Sequence, residues 1–533
     1  MKRWFFVIIV VFYTSSLTMA QHFKTDEKPQ LVVNVLVEGL QFEHISRLWN
    51  YFGEGGFKRL INEGTFFPNT QFNYISGGST TDCASLMTGT LPAHHGILGD
   101  FFFEQKTREV IPITFDGKSV GIGSQENHSP VNLFASTFTD VLKVSTNAQS
   151  KVFSIALNAS NAVLLGGHTA DCAIWLDTES GKLATSSFYE KGLPSWCDKM
   201  NTDFSLDNMT DFIWQPLYAP FTYNYPSAND ISSKNFLYKA EKYKTIAEKI
   251  TAFKSTPFAN KLVRKLAIET ISKEKLGKTI ITDVLSLQFT VNPHIPNAQE
   301  LLSSEKEDIY LRLDKEIKLL LDSVDLLIGK ENALVVLSAN QSGNMSMETM
   351  KKHRINCGRF NASRAMALLN NYLMLLNGQG NWVEGYFSKN IYLNRRLAEK
   401  KSLDFKQIQY QAEQFMMDFQ GIQSVYTTEN LAYTNGSDYD LTQKIKNSIN
   451  FRRSGTIVFT LLPGWVEVDG KENIVGPSER THHQTFVAFY GFDIKPQENL
   501  QTIQFVDIAP TLCNLLSIPP PNACVGRIIP LNK

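Results

Sequence analysis

The chain of 533 residues carries 52 Lys and Arg against 52 Asp and Glu, and 43% of it is hydrophobic. The neutral balance leaves no basic excess to displace counterions from a phosphate backbone, so nucleic acid is excluded as the default partner. This length accommodates about two to four domains, or one large domain with insertions.

Met1 to Ala20 has the form of a secretory signal peptide. Lys2 and Arg3 supply positive charge, Trp4 to Tyr13 an apolar core, and Thr18-Met19-Ala20 a small-residue exit. The apolar run falls short of the roughly 20 residues that span a bilayer. No other segment reads as transmembrane. The mature protein is therefore expected in the periplasm or outside the cell, with no membrane span after signal cleavage. All 6 cysteines follow the signal and show no CxxC spacing, which argues against a structural zinc site. Cys513 and Cys524 flank a proline-rich turn and form the pair to test first for a disulfide.

Gln30 to Leu40 (QLVVNVLVEGL) reads as a buried strand, and His44 to Gly64 as helical. Further buried strands are expected at Lys151 to Leu157, Thr279 to Phe289, Asn332 to Ser338 and Thr485 to Gly491. A strongly amphipathic helix is expected from Ser304 to Leu327, and others at Asp404 to Phe419 and Phe505 to Leu516. Strands alternating with helices indicate an α/β sheet with right-handed crossovers. Two stretches depart from that pattern, at about 171–265 and 342–473, and read as a cap or insertions. The aromatic run Phe212 to Tyr225 (FIWQPLYAPFTYNY) suits domain packing better than a ligand platform.

The stretch around which the chain is organised is Asn73 to Asp100, NYISGGSTTDCASLMTGTLPAHHGILGD. Gly77 and Gly78 allow a sharp bend just before Ser79. Ser79 stands three residues before Asp82, ahead of an apolar run, which is the spacing of a helix cap with an acidic first turn. The same geometry presents a nucleophilic hydroxyl at a helix N-terminus, where N–H groups accept an anion. Ligands of open α/β sheets bind beyond the carboxyl ends of the strands. Glu38-Gly39, Asn158 to Ser160, Thr290 to His294, Asn340-Gln341 and His482 to Gln484 occupy those positions, and Ser79 joins them to line one cleft.

The runs FGEGGFKRLINEGTFFPNTQFNYI, MTGTLPAHHGILGD and GGHTADCAIWLDTESGKLATSSFY resemble one group of the alkaline phosphatase superfamily. So do EDIYLRLDKEIKLLLDSVD, TFVAFYGFDIKP and VDIAPTLCNLLSIPPPNACVGRIIP. The group comprises threonine-nucleophile monoesterases related to the nucleotide pyrophosphatase/phosphodiesterases. The likeness spans nearly all of the mature chain. It implies an alkaline-phosphatase-like α/β sandwich over residues 21–533, with a central, mostly parallel sheet flanked by helices.

Members of that family bind two zinc ions through carboxylates and histidines, attack phosphate with Thr or Ser, and hold its oxygens with Asn, Lys and Arg. The chemistry uses one ion on the nucleophile and the other on the leaving oxygen. Carried onto this sequence, the first-strand aspartate falls on Glu38 and the nucleophile on Ser79. The phosphate-holding asparagine falls on Asp100, and the Lys and Arg on Asn158 and Ser160. The Asp-x-x-x-His ligand pair falls in TVNPHIPNAQ, where no aspartate stands and His294 is out of register. The Asp-His dipeptide falls on Asn340-Gln341, and the final histidine on Gln484, one place after His483.

The resemblance therefore implies a site in which most zinc ligands are Asn, Gln or Pro. Carboxamides are poor zinc ligands. With the family's cations missing, Glu38 and Asp100 would face the phosphate instead. Two unit charges about 4 Å apart cost about 4 kcal/mol at an effective dielectric of about 20. Asp82 reads as a first-turn charge, and His94, His95 and His168 as braces of family-like turns. The expectation is an exported pseudophosphatase without a cofactor, acting by binding a protein or small ligand. The alternative is a zinc-dependent phosphoester or sulfoester hydrolase using Ser79, with Glu38, His294 and His483 as candidates for one remodelled metal site.

Overall fold

The computed structural model describes residues 28–203, 210–228, 230, 232–292, 303–340, 347–433, 436, 440–469, 474–476 and 484–531. The leader-like segment Met1 to Ala20 lies outside the described residues, as do His294, Gln341 and His483. Among the described residues, no helix is long and apolar enough to cross a membrane.

Seven strands carry the central sheet: β1 (Leu31–Glu38), β2 (Thr65–Gln71), β3 (Val152–Ala156), β4 (Cys172–Leu176), β5 (Asp283–Thr290), β6 (Ala333–Asn340) and β7 (Gln484–Gly491). Five helices matter below: α1 (Ser79–Thr88), α2 (Ala159–Gly166), α3 (Pro257–Lys273), α4 (Ser304–Leu327) and α5 (Ile508–Leu515). The sheet has 11 strands. Its order from one edge is Gln497–Glu498, β2, β7, β6, β1, β5, β3, β4, Leu183–Ser186 and Gly121–Ile122, with Ile503–Gln504 also on β2. β6, β1, β5, β3 and β4 run parallel. β7 is antiparallel to both of its neighbours. This is the mixed α/β fold, mostly parallel at its centre and flanked by helices.

Both faces of β1 are covered, so its sequence is a nearly unbroken apolar run rather than an alternation of apolar and polar residues. The period of two still sorts its side chains. Leu31, Val33, Val35 and Val37 enter one core with Leu285, Leu287 and the apolar stripes of α3 and α4. Val32 and Leu36 enter the other with Val284, Val336 and the α1 and α5 residues Leu86, Met87 and Leu512. Burying each such side chain contributes about 1.5–3 kcal/mol. On the same count, Glu38, Gln288 and Asn340 fall on the α1 face. Glu38 pairs in register with Thr290 and with Asn340, so all three close their strands at one level.

The structure differs from the sequence reading in three places. The helix expected over His44 to Gly64 is split into Phe42–Leu48, a 3-10 turn and Phe57–Glu63. Asp314 of α4 receives the break, accepting the Gly53 N–H at 3.0 Å and the Phe57 N–H at 2.8 Å. A Cβ at Gly56 would lie 2.1 Å from Asp314 Oδ1, so the turn needs glycine there. Secondly, the stretch 171–265 is not wholly an insertion, because β4, Leu183–Ser186 and the first half of α3 belong to the body of the sheet. Its aromatic run instead docks on the first turn of α4. Asp308 accepts from Trp214 Nε1, the Leu217 N–H and the Tyr223 hydroxyl, each at 2.7 Å, and Glu307 and Glu305 hold Asn224 and Ser227. Thirdly, Cys513 and Cys524 are free thiols, like the other four cysteines. Burial, with Cys524 close by, pushes the Cys513 thiol up to about 12.

The described residues between 347 and 469 form a separate layer with its own core. A four-stranded sheet (Val383–Phe387, Asn390–Leu393, Ile457–Leu461, Ile422–Thr427) packs under the helices Ala362–Asn377 and Phe405–Met417 through Leu369, Leu373, Trp382, Ile408 and Phe459.

Candidate active site

Ser79 does not cap its helix. Gly78 holds the cap position at φ 131°, without a side-chain cap, and Ser79 is the first residue of α1. That φ lies where only glycine is comfortable. Gly77 is equally constrained, since a Cβ there would lie 1.7 Å from the Leu98 carbonyl oxygen. The bend is thus wedged between the helix and the second turn, and it delivers the Ser79 hydroxyl to the carboxyl ends of the strands.

Three carboxamides meet that hydroxyl. Gln288 Nε2 lies 2.6 Å from Ser79 Oγ, and Asn161 Nδ2 and Asn340 Nδ2 each lie at 3.2 Å. The network sets their orientation. Asn340 Oδ1 accepts the Gly39 N–H at 3.2 Å, which turns its Nδ2 toward the serine. Gln288 Oε1 accepts from Asn161 Nδ2 at 2.8 Å, which does the same for Gln288 Nε2. A serine oxygen has two lone pairs, so three N–H donors saturate it.

The surrounding carboxylates have distinct roles. Asp82, one turn along α1, is fully buried and accepts the Tyr74 hydroxyl at 2.9 Å. Burial raises its pKa to about 7; hydrogen bonding from Ser76 and Tyr74 opposes the rise, and the charge of Glu38 adds to it. Asp100 is exposed and accepts the Thr80 hydroxyl at 2.9 Å. Glu38 closes β1 beside Asn340.

The remaining expected residues are placed as follows. Asn158 caps α2, its Oδ1 accepting the Asn161 N–H at 2.9 Å. Ser160 Oγ lies 2.8 Å from Thr114 Oγ1. Gln484 turns toward β2 and donates to Asn69 Oδ1 at 2.8 Å, away from Ser79. His95 pairs with Ser85 Oγ at 2.9 Å and accepts the Ile97 N–H, and burial lowers its pKa to about 3. His168 braces its loop between Asp140 and the Leu133 carbonyl. Among the described residues, no group of three or more His, Cys, Asp or Glu gathers as a metal site.

Sequence reasoning missed Asn161 and Gln288. Both carried a signal: Gln288 is a polar residue inside the apolar run LSLQF, and Asn161 directly follows Asn158 to Ser160.

The outer layer grips the bend from above. Asn447 Nδ2 donates to the Asn73 carbonyl at 2.7 Å, Ser448 Oγ accepts the Ile75 N–H at 2.7 Å, and Asn450 Nδ2 donates to the Ala93 carbonyl at 2.9 Å. Arg453 donates to the Gly96 carbonyl and, at 3.0 Å, to Asn132 Oδ1, while its guanidinium lies over the Phe134 ring.

The model of the family described as type I phosphodiesterase / nucleotide pyrophosphatase matches residues 32–485. The chain belongs to that family. Its superfamily is that of the alkaline phosphatases. A family relative from Myroides odoratus, named a calcium-transporting ATPase, is 31% identical over 519 residues, 94% of each chain. Alkaline phosphatase PafA of Elizabethkingia meningoseptica is 27% identical over 541 residues, covering 99% of this chain and 98% of that protein. The crystal structure of wild-type PafA superposes with a TM-score of 0.84, covering 94% of this chain and 98% of that one. The family fold therefore extends through both the sheet and the outer layer.

Proposed function

We propose that this member of the family is a pseudophosphatase, working outside the cytoplasm by binding a protein or small ligand in the retained cleft. The observation that carries the reading is the ring of carboxamides on Ser79. Zinc takes anionic carboxylate or thiolate and imidazole nitrogen. Asn161, Gln288 and Asn340 offer neutral amides instead, with their N–H groups turned inward, so this donor set does not fit a two-zinc centre. Nor does it fit an activated nucleophile. A serine attacks when a base takes its proton or a metal lowers its pKa, whereas here Asn161, Gln288 and Asn340 all donate to Ser79 Oγ.

The charge around the cleft supports the same reading. With Glu38 at a strand end and Asp100 beside Thr80 in place of the family's asparagine, a phosphate dianion would meet carboxylates without the cations that offset them in the family. The leader-like Met1 to Ala20 supports a periplasmic or secreted address. The test is hydrolysis of p-nitrophenyl phosphate with added zinc. The native protein and Ser79→Ala are expected to show the same background rate, and turnover lost in Ser79→Ala would overturn the reading.

A further inference from the structure

A second hydroxyl in the molecule has the connections that Ser79 lacks. Ser160 Oγ lies 2.8 Å from Thr114 Oγ1, Thr114 Oγ1 lies 2.8 Å from His128 Nδ1, and His128 Nε2 lies 3.0 Å from Glu126 Oε2. The order of protons follows from the ends of the chain. The Glu126 carboxylate only accepts, so a neutral His128 carries its proton on Nε2 and accepts at Nδ1. Thr114 then donates to His128, and Ser160 donates to Thr114. All three bonds draw the Ser160 proton toward the imidazole.

The backbone fixes this relay. Phe115 and His128 form an isolated antiparallel bridge, and Ser129 N–H donates to the Thr114 carbonyl at 2.8 Å. Thr114 and His128 are 1% and 5% exposed, and the Trp175 ring meets the imidazole edge-on, so solvent does not compete for the two inner bonds. Ser160 at the head of the relay is only partly buried. It is the second residue of α2, where Asn158 caps the third N–H. The first two N–H groups of a helix have no partner within it and stabilise a developing negative oxygen.

We propose that Ser160 is a metal-independent nucleophile toward carboxylic esters, with Thr114, His128 and Glu126 as its positioning residues. Ser160 Oγ forms a bond to the acyl carbon as its proton passes to Thr114 and the Thr114 proton passes to His128 Nδ1. The ester C–O bond breaks as Thr114 gives its hydroxyl proton to the departing alkoxide and takes one back from His128 Nδ1, releasing an alcohol. Water then cleaves the acyl-serine by the same route, giving the carboxylic acid and restoring the hydroxyl. This inference does not rest on the reading of the Ser79 cleft.

The experiment treats the full chain, in EDTA, with a tagged fluorophosphonate, which bonds to an activated serine with loss of fluoride. Peptide mass spectrometry then locates the label. The expected result is one label at Ser160, absent in Ser160→Ala. Labelling should slow about 100-fold in Thr114→Val and be restored in Thr114→Ser, at unchanged melting temperature. The Val/Ser contrast separates a proton relay from a packing role, because Val keeps the volume without the hydroxyl and Ser keeps the hydroxyl without the methyl. No label at Ser160, or equal rates in Thr114→Val and Thr114→Ser, would overturn the assignment. A label at Ser79 would instead count against the pseudophosphatase reading.

Discussion

Asn340 Nδ2 faces Ser79 Oγ at 3.2 Å while Asn340 Oδ1 holds the Gly39 N–H at the same distance. One carboxamide thus ties the end of β6 to the end of β1 and points a donor at the serine. A carboxylate at this position would keep the Gly39 bond and turn its second oxygen on the site.

Asn340→Asp is accordingly expected to destabilise the fold above neutral pH. It adds a buried charge near Glu38 and Asp82, a change that costs about 2–4 kcal/mol. Below about pH 5 the new carboxyl is neutral, and most of the loss should be recovered. Thermal melts of the variant and the native chain at the two pH values measure this directly.

Asp82 gives a pH dependence with a defined sign. Its pKa is 3.8 in an unfolded chain and about 7 in the fold, so the folded state binds more protons between those values. Stability therefore falls as pH rises from about 4 to about 7, by up to about 4 kcal/mol at about 1.4 kcal/mol per pKa unit. Asp82→Asn should flatten that slope. Urea midpoints measured across the window would show a persistent slope in the variant if Asp82 were not its source.

The clamp of α4 on the aromatic run predicts a large structural effect. Asp308→Ala leaves Trp214 Nε1 and the Tyr223 hydroxyl without their acceptor, leaves the Leu217 N–H only the Tyr223 oxygen, and strips Arg312 of its carboxylate partner, at 2.7 Å from Asp308. The expected cost is about 3–5 kcal/mol. Denaturant unfolding followed by tryptophan fluorescence checks it, and a loss below about 1 kcal/mol would show that the run packs without the carboxylate.

Arg453 joins the outer layer to the turn after His95. Burial lowers its pKa to about 10, and it is held by the Gly96 carbonyl, Asn132 and the ring of Phe134. Arg453→Met keeps most of the apolar contact and loses the donors, for about 1–3 kcal/mol. Limited proteolysis should cut near residues 440–454 faster in the variant, with the central sheet still resistant.

The central strands were legible in the sequence because parallel strands covered on both faces are long β-branched runs bounded by polar residues, as in LVVNVLVE. The 24 residues of α4 were legible for the matching reason, an apolar stripe of helical period over Ser304–Leu327. The direction of β7 was not, since the long segment between β6 and β7 removes the helix-crossover cue that implies a parallel neighbour. In the site, the position of Ser79 could be read from the glycines before it. Its partners could not, because Asn161 and Gln288 reach it from α2 and β5, which only the folded sheet brings together. The Ser160 relay was hidden similarly, as Thr114 and His128 meet through a backbone bridge between two loops.

The central claim is that the cleft around Ser79 does not hold the two zinc ions of a working phosphatase. Isothermal titration of the metal-stripped native protein with zinc, then with zinc and orthophosphate together, tests it most directly. The account predicts no saturable zinc uptake in the cleft and no phosphate binding that depends on zinc. Two equivalents of zinc bound per chain, with phosphate binding that requires them and is lost in Ser79→Ala, would contradict it.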